Sequence, residues 1–245
     1  MELDALAFGA HADDVELACG GTLIRLAASG YKIGVVALTR GEMATRGTPE
    51  IRAREFDESA ETMGLAVHTM LDIPDARIEL TWENKLKIIE EIRARKPKIV
   101  LAPYWIDRHP DHENTSRLVR ESAYLAGLKK LETEHPAFRT PRVVFYRSRF
   151  EFKPSFVVDI SEYHERKMKA IMAYRSQFYD RSLAQAGAEE TSISRPEFLK
   201  IVESRDRLSG ASIGVRYGEP FLVREPMKLD DPVAFFGPEY SWTIP

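Results

Sequence analysis

The sequence predicts an α/β fold of the Rossmann-like, doubly wound kind: a mostly parallel sheet with helices on both faces. Three observations predict it. Short β-branched runs alternate with amphipathic stretches of helical spacing along most of the chain. The strand-like runs, such as KIGVVALT (32–39) and IVLAP (99–103), are apolar almost throughout, as strands buried on both faces are. The strand–helix–strand order also repeats, and right-handed crossovers turn that order into parallel pairing.

Taken in order, residues 3–10 read as the first strand and 20–29 as its helix, which Gly30 stops. Residues 32–39 form the second strand. Thr48-Pro49 is a helix start, with Thr as the N-cap and Pro at the first helical position, and that helix runs to Met63 before Gly64. A third strand spans 67–73. Residues 82–95 have the three-to-four apolar spacing of a helix, and 99–103 is the fourth strand. A helix follows from near His112 to about Leu128, then strands at 143–149 and 156–160. Ser161 is expected to cap a helix ending near Tyr179, and 195–208 is the last helix. Between them, 180–194 (DRSLAQAGAEETSIS) reads as a mobile surface loop. Residues 224–245 hold four prolines and are expected to wrap the domain or meet a neighbouring subunit. Residues 1–245 read as one domain, with 224–245 as an extended tail.

Composition excludes several classes. A chain of 245 residues, 44% hydrophobic and 30% charged, can bury a substantial core and reads as globular. A formal net charge of −3 lacks the basic surplus that nucleic-acid binding needs. No apolar run reaches the length of a membrane span, so no membrane partner is expected. Acid near the N-terminus where a signal peptide carries base, and a single cysteine, Cys19, point to a cytoplasmic setting.

Two dense polar stretches carry the chemistry. AFGAHADDVELACGG (7–21) follows the first strand, and APYWIDRHPDHENTS (102–116) follows the fourth. With strands ordered 3-2-1-4-5, the first and fourth are neighbours, and their C-terminal ends flank the switch point where ligands bind. His11, Asp14 and His112 then form a two-histidine, one-carboxylate set with an open position, which suits Zn2+ and also Fe2+. A metal there lowers the pKa of a water and polarises a carbonyl. Asp13 is left as the general base. His109 is placed to stabilise the oxyanion or leaving nitrogen as an imidazolium, with Asp111 orienting or charging an imidazole. The competing reading makes Asp13, Asp14 or Asp111 simple helix caps. Glu16 reads as supporting or surface, Cys19 as a small buried residue, and His68, His135 and His164 as structural or surface. Gly20-Gly21 does not fit the G-x-G-x-x-G fingerprint and reads instead as close helix–sheet packing.

HADDVELACGG and RHPDH resemble the LmbE/PIG-L family of zinc-dependent N-deacetylases. LTRGEMATRGTPEIRAREFDESAETMG (38–64) and FVVDISEYHERKMKAIMAYRSQF (156–178) are similar to its bacillithiol branch. The resemblance implies an LmbE-like fold and hydrolysis of the acetamide of a small-molecule GlcNAc conjugate, N-acetyl-α-D-glucosaminyl L-malate. It implies His11, Asp14 and His112 as ligands, Asp13 as base and His109 as electrostatic catalyst. It also implies a homo-oligomer such as a hexamer. Malate carries two carboxylates, which suit arginine forks, and Arg52 and Arg108 are the expected contacts, ahead of Arg46 and Arg149. Some relatives use a mobile-loop tyrosine on the carbonyl. Here no tyrosine lies between Tyr179 and Tyr217, and Phe198 is the best-placed aromatic. A deacetylase for an inositol, chitooligosaccharide or xenobiotic conjugate is the rival reading, and a noncatalytic sugar- or nucleotide-binding module with a structural metal is a further one.

Overall fold

The computed structural model describes residues 1–236. Strands β1 (Ala5–Gly9), β2 (Ile33–Ala37), β3 (Val67–Met70), β4 (Ile99–Pro103) and β5 (Val143–Tyr146) run parallel. With β6 (Phe156–Asp159) and β7 (Gly218–Leu222) they form one sheet ordered β3-β2-β1-β4-β5-β7-β6. The doubly wound 3-2-1-4-5 arrangement is therefore present, and β7 adds an antiparallel strand between β5 and β6.

Alternation along the central strands builds two cores. Ala5 and Ala7 of β1 join Ile33, Val35 and Leu101 on one face. Leu6 and Phe8 join Val36, Val100 and Phe145 on the other. Helices α1 (Asp14–Ala28), α2 (Pro49–Met63) and α5 (His164–Met172) cover the first face. Helices α3 (Trp82–Arg95) and α4 (Pro110–Leu125) cover the second. Burial on both faces is what parallel strands require. β1 pairs with β2 on one side and β4 on the other, so the loops after β1 and β4 open into one crevice.

Several boundaries differ from the sequence reading. α1 begins at Asp14 rather than Gly20 and breaks at Cys19, whose φ of −144° is not helical. The break releases the N–H groups of Gly21 and Thr22, which donate to the Glu219 carboxylate at 3.0 and 2.7 Å. Gly21 is the close contact of the Gly-Gly pair, since a Cβ there would lie 2.8 Å from Ile160 Cδ1. α4 starts at Pro110, with His109 as its cap. Ser161 does not cap α5; its Oγ accepts from the Tyr217 N–H, and α5 ends at Met172. The expected loop 180–194 contains the short helix α6 (Arg181–Gln185), because the Asp180 carboxylate accepts from Ser182 and Leu183 N–H. α7 (Pro196–Ala211) follows.

β7 escaped the sequence reading because GEPFL carries glycine, a charge and proline. Proline is tolerated there because pairing with β5 covers only Phe221 and Leu222, leaving Pro220 beyond it. Residues 224–236 are exposed throughout and include the short α8 (Pro232–Phe235), with the Arg224 guanidinium carbon 5.5 Å from the Trp105 ring centroid. The rest of the expected tail, with Pro238 and Pro245, lies outside the described residues. Among the described residues no helix is long and apolar enough to cross a membrane.

Candidate active site

The loop from β1 into α1 is short, so His11, Asp13 and Asp14 leave the sheet within one turn. Asp14 turns back on His11, accepting its backbone N–H at 2.9 Å. Asp13 has φ 130° and ψ −25°, a strained conformation for a residue with a Cβ. It stands at the N-cap position of α1, yet its carboxylate makes no capping hydrogen bond. The capping reading of Asp13 therefore fails, and its side chain is left for another use.

The second stretch arrives from β4. His109 caps α4, its Nδ1 accepting from the Asp111 N–H at 3.2 Å, so His109 and not Asp111 is the cap. One helical turn on, His112 Nε2 lies 3.2 Å from Asp14 Oδ1. His11 Nδ1 lies 3.5 Å from Asp14 Oδ2. Donor atoms of His11, Asp14 and His112 all lie within 4.8 Å of one another. Neighbouring ligands of a tetrahedral ion at ordinary Zn–N and Zn–O lengths stand about 3.3 Å apart, so the two observed separations suit a single ion. The sequence-expected trio thus comes together as a donor set for a divalent metal.

Two carboxylates that the sequence reading left unassigned complete this centre. Asp75 Oδ1 lies 2.9 Å from His11 Nε2, and Asp75 is itself held by the Met43 and Ala76 N–H groups. Asp107 Oδ2 lies 3.4 Å from His112 Nδ1, beside the Ser148 hydroxyl at 3.1 Å. Each imidazole is thereby fixed through one nitrogen with the other turned to Asp14, the arrangement that orients metal-binding histidines. Asp107 sits inside the motif and was legible as a candidate. Asp75 lies in the loop after β3 with no motif to mark it.

The imidazole that the Asp111 side chain approaches is that of His11. Its buried carboxylate accepts from Ala76 and Ile78 N–H at 2.8 and 3.3 Å and lies 3.7 Å from His11 Nε2. Only its backbone meets His109.

Electrostatics separate the groups further. Burial opposes charge on Asp14, but His112 and His11 outweigh it and hold that carboxyl well below its usual range. Burial would likewise push His112 down, yet Asp14 and Asp107 raise it to about 10. His11 is raised too, as Asp111, Asp14 and Asp75 overcome its burial. Such surplus negative charge around two imidazoles favours a cation. Asp13 behaves oppositely: burial pushes it to about 7, with Asp14 adding to the rise and Arg52 limiting it. For His109 the electrostatics run against the expected imidazolium. Burial, His112 and His11 lower its pKa, which favours the neutral imidazole. With Nδ1 accepting from Asp111, its Nε2 carries the proton and is the donor.

All of these groups except Asp111 line one cavity of about 450 Å³, within the range of small-molecule sites. Its lining includes Arg108, which the sequence reading expected, Arg149, a weaker expectation, and Arg205, which it did not single out. Arg52 lines the cavity as well. It is 3% exposed and commits its guanidinium to the Ala12 carbonyl oxygen at 2.5 Å and to Asp13 at 3.6 Å. Arg46 also lines the cavity, and Phe198 does so while stacking on Phe178. Glu16 is buried rather than on the surface, accepting from Tyr174 Oη and Ser59 Oγ. Cys19 is buried. His68 pairs with Asp57, His135 with Glu90, and His164 stacks on Tyr217, and none of the three lines the cavity.

A two-histidine, one-carboxylate donor set at the switch point of such a sheet, with a spare carboxylate beside it, defines a class of divalent-metal hydrolase. Comparison with known proteins places the chain within that class. The family model described as PIG-L, GlcNAc-PI de-N-acetylase, matches residues 6–123, which hold both motif loops. Diacetylchitobiose deacetylase of Thermococcus kodakarensis is 33% identical over 183 residues, covering 69% of this chain and 67% of that enzyme. A probable N-acetyl-α-D-glucosaminyl L-malate deacetylase of Bacillus cereus is 28% identical over 192 residues, 72% of this chain and 84% of that one. The solved structure of the conserved protein TT1542 from Thermus thermophilus is 39% identical with a TM-score of 0.84, covering 94% of this chain and 98% of that one. The chain belongs to the PIG-L family of deacetylases.

Proposed function

We propose that this deacetylase removes the N-acetyl group of a GlcNAc conjugate, with N-acetyl-α-D-glucosaminyl L-malate of bacillithiol biosynthesis as its preferred substrate. The observation that carries the hydrolytic reading is Asp13: a buried, uncapped carboxylate with its pKa raised to about 7, beside an open donor set in a substrate-sized cavity. His11, Asp14 and His112 would hold Zn2+, or Fe2+ by the same donor chemistry. Such an ion acidifies a water and polarises a carbonyl.

The chain's own residues supply the rest. Asp13 takes the proton of the attacking water as the new C–O bond forms at the acetyl carbon. His109 Nε2–H donates to the oxygen that gains charge. The C–N bond then breaks, the proton held by Asp13 passes to the leaving nitrogen, and acetate and a free amine result. Asp111 and Asp75 act through His11, which they orient.

The malate choice is supported by the Bacillus relative and by the cavity wall, where Arg108 and Arg149 have no ion pair among the described residues. Free guanidiniums suit a dicarboxylate. The chitobiose relative supports a neutral aglycone instead. Acetate release is to be measured at matched concentrations of the malate conjugate, an inositol conjugate and diacetylchitobiose, with bound metal determined in parallel. Preference for malate is expected. Preference for either other conjugate overturns the substrate, and no release from any of them by metal-loaded protein overturns the hydrolase. The single buried cysteine fits a reducing cytosol as the setting.

A further inference from the structure

We infer that Arg205 of α7 is a specificity-determining residue, its guanidinium receiving a carboxylate on the aglycone of the substrate. This deepens the deacetylase reading above and rests on it. Arg205 is half-buried and lines the cavity. Its Nη2 donates to the Ser148 carbonyl oxygen and lies 3.4 Å from that of Arg149. The Ser148 hydroxyl is in turn 3.1 Å from His112 Nδ1, so the guanidinium is tied to the metal centre through a single residue. Nε and Nη1 make no hydrogen bond among the described residues.

The surroundings leave this cation without a partner. Arg147 and Arg149 line the same cavity, so three guanidiniums gather where the end of β5 meets α7. The carboxylates in reach are already taken. Glu151 pairs with Arg147 at 3.0 Å, and Asp206 Oδ2 lies 2.7 Å from Lys167 Nζ and 3.4 Å from His164 Nε2. Burial, Arg147 and Arg149 lower the pKa of Arg205 against the pull of Glu151 and Asp206. An arginine does not give up its proton in a protein, so its half-buried charge calls for an anion from outside. Holding the Ser148 carbonyl needs one N–H donor and no further positive charge. A planar carboxylate matches the donors that remain. The metal donors, Asp13 and His109 all fall within residues 6–123, which the family model matches, and Arg205 falls outside them.

The test is acetate release by the intact, metal-loaded chain from the malate conjugate and from the neutral methyl glycoside of GlcNAc. Wild type, Arg205→Gln and Arg205→Lys are compared, with inhibition by added acetate followed on the neutral glycoside. Bound metal and melting temperature are recorded for each. Glutamine keeps a donor for the Ser148 carbonyl and removes the charge. Arg205→Gln is expected to lower the preference for malate, as the ratio of kcat/KM values, about 10- to 100-fold and mainly through KM. Arg205→Lys should recover part of that preference. Salt should raise the wild-type KM for the malate conjugate more than that of Arg205→Gln. If the glutamine variant does not fold, a KM rise confined to the malate conjugate in Arg205→Lys carries the same test.

An equal loss on both substrates, or a fall in bound metal, would make Arg205 a support for Ser148 and His112. Relief of acetate inhibition with the malate preference unchanged would make it a site for the released acetate. Unchanged constants on both substrates would leave it no role. Each of these overturns the inference while wild-type turnover upholds the deacetylase. A wild type active on the neutral glycoside and inert on the malate conjugate overturns the inference and the malate choice together; one inert on both overturns the deacetylase itself.

Discussion

Asp13 and Asp14 are neighbours in sequence with opposite electrostatic fates. Asp14 is surrounded by imidazoles and stays ionised, ready to hold a cation, while burial pushes Asp13 towards neutrality. Paired carboxylates driven apart in this way can divide binding from proton transfer. Asp13→Ala is therefore expected to lower kcat about 10²- to 10⁴-fold with metal content intact. His112→Ala should lose both metal and turnover, measured by metal analysis alongside acetate release. At this scale the sequence was a good guide to which side chains come together, because His11, Asp13 and Asp14 share one loop and His109 and His112 one helix turn. It was a poor guide to what holds them. Asp75 stands 64 positions from His11, and only the fold brings the two within 2.9 Å. The contacts of Arg52 with Ala12 and Asp13 were likewise out of sight of any local pattern.

At the scale of elements, the break in α1 places the site. Its first turn carries Asp14 towards the cavity, and its second part begins afresh at Gly21 with Glu219 satisfying the freed N–H groups. The close approach of Gly21 to Ile160 sets how deeply that second part packs. Gly21→Ala should destabilise the protein by about 1–3 kcal/mol through overpacking, seen as a lower denaturant midpoint. Periodicity and helix-start signals revealed β1 to β5 and most helices, since buried parallel strands are apolar and Thr48-Pro49 marks a start. They did not reveal β7, where Gly218, Glu219 and Pro220 contradict strand composition, or the early start of α1. The charged residues there read as a site loop when they also form a helical turn.

For the whole molecule, the most fully buried charged pair is Lys167 and Glu219. Lys167 is fully buried, with its Nζ 2.7 Å from Asp206 and 2.8 Å from Glu219. Burial opposes both partners' charges, yet Lys167 and His164 hold Asp206 low, and Asp206 and Glu219 hold Lys167 high. The stability from Asp206 is present above its unfolded pKa near 3.8 and lost as pH falls through the lowered value. That from Lys167 is present below 10.5 and lost as pH rises through the raised value. Lys167→Met should cost about 3–5 kcal/mol at neutral pH by stranding two carboxylates. Because protonation relieves them, the deficit in denaturant midpoint should be smaller at pH 5 than at pH 8. The backbone at Asp13 tells against maximal robustness in a second way. Glycine would relax φ 130° where alanine would not, so Asp13→Gly should unfold about 1 kcal/mol less readily than Asp13→Ala while being equally inert. The fold therefore holds a strained backbone at Asp13 that a single glycine would release.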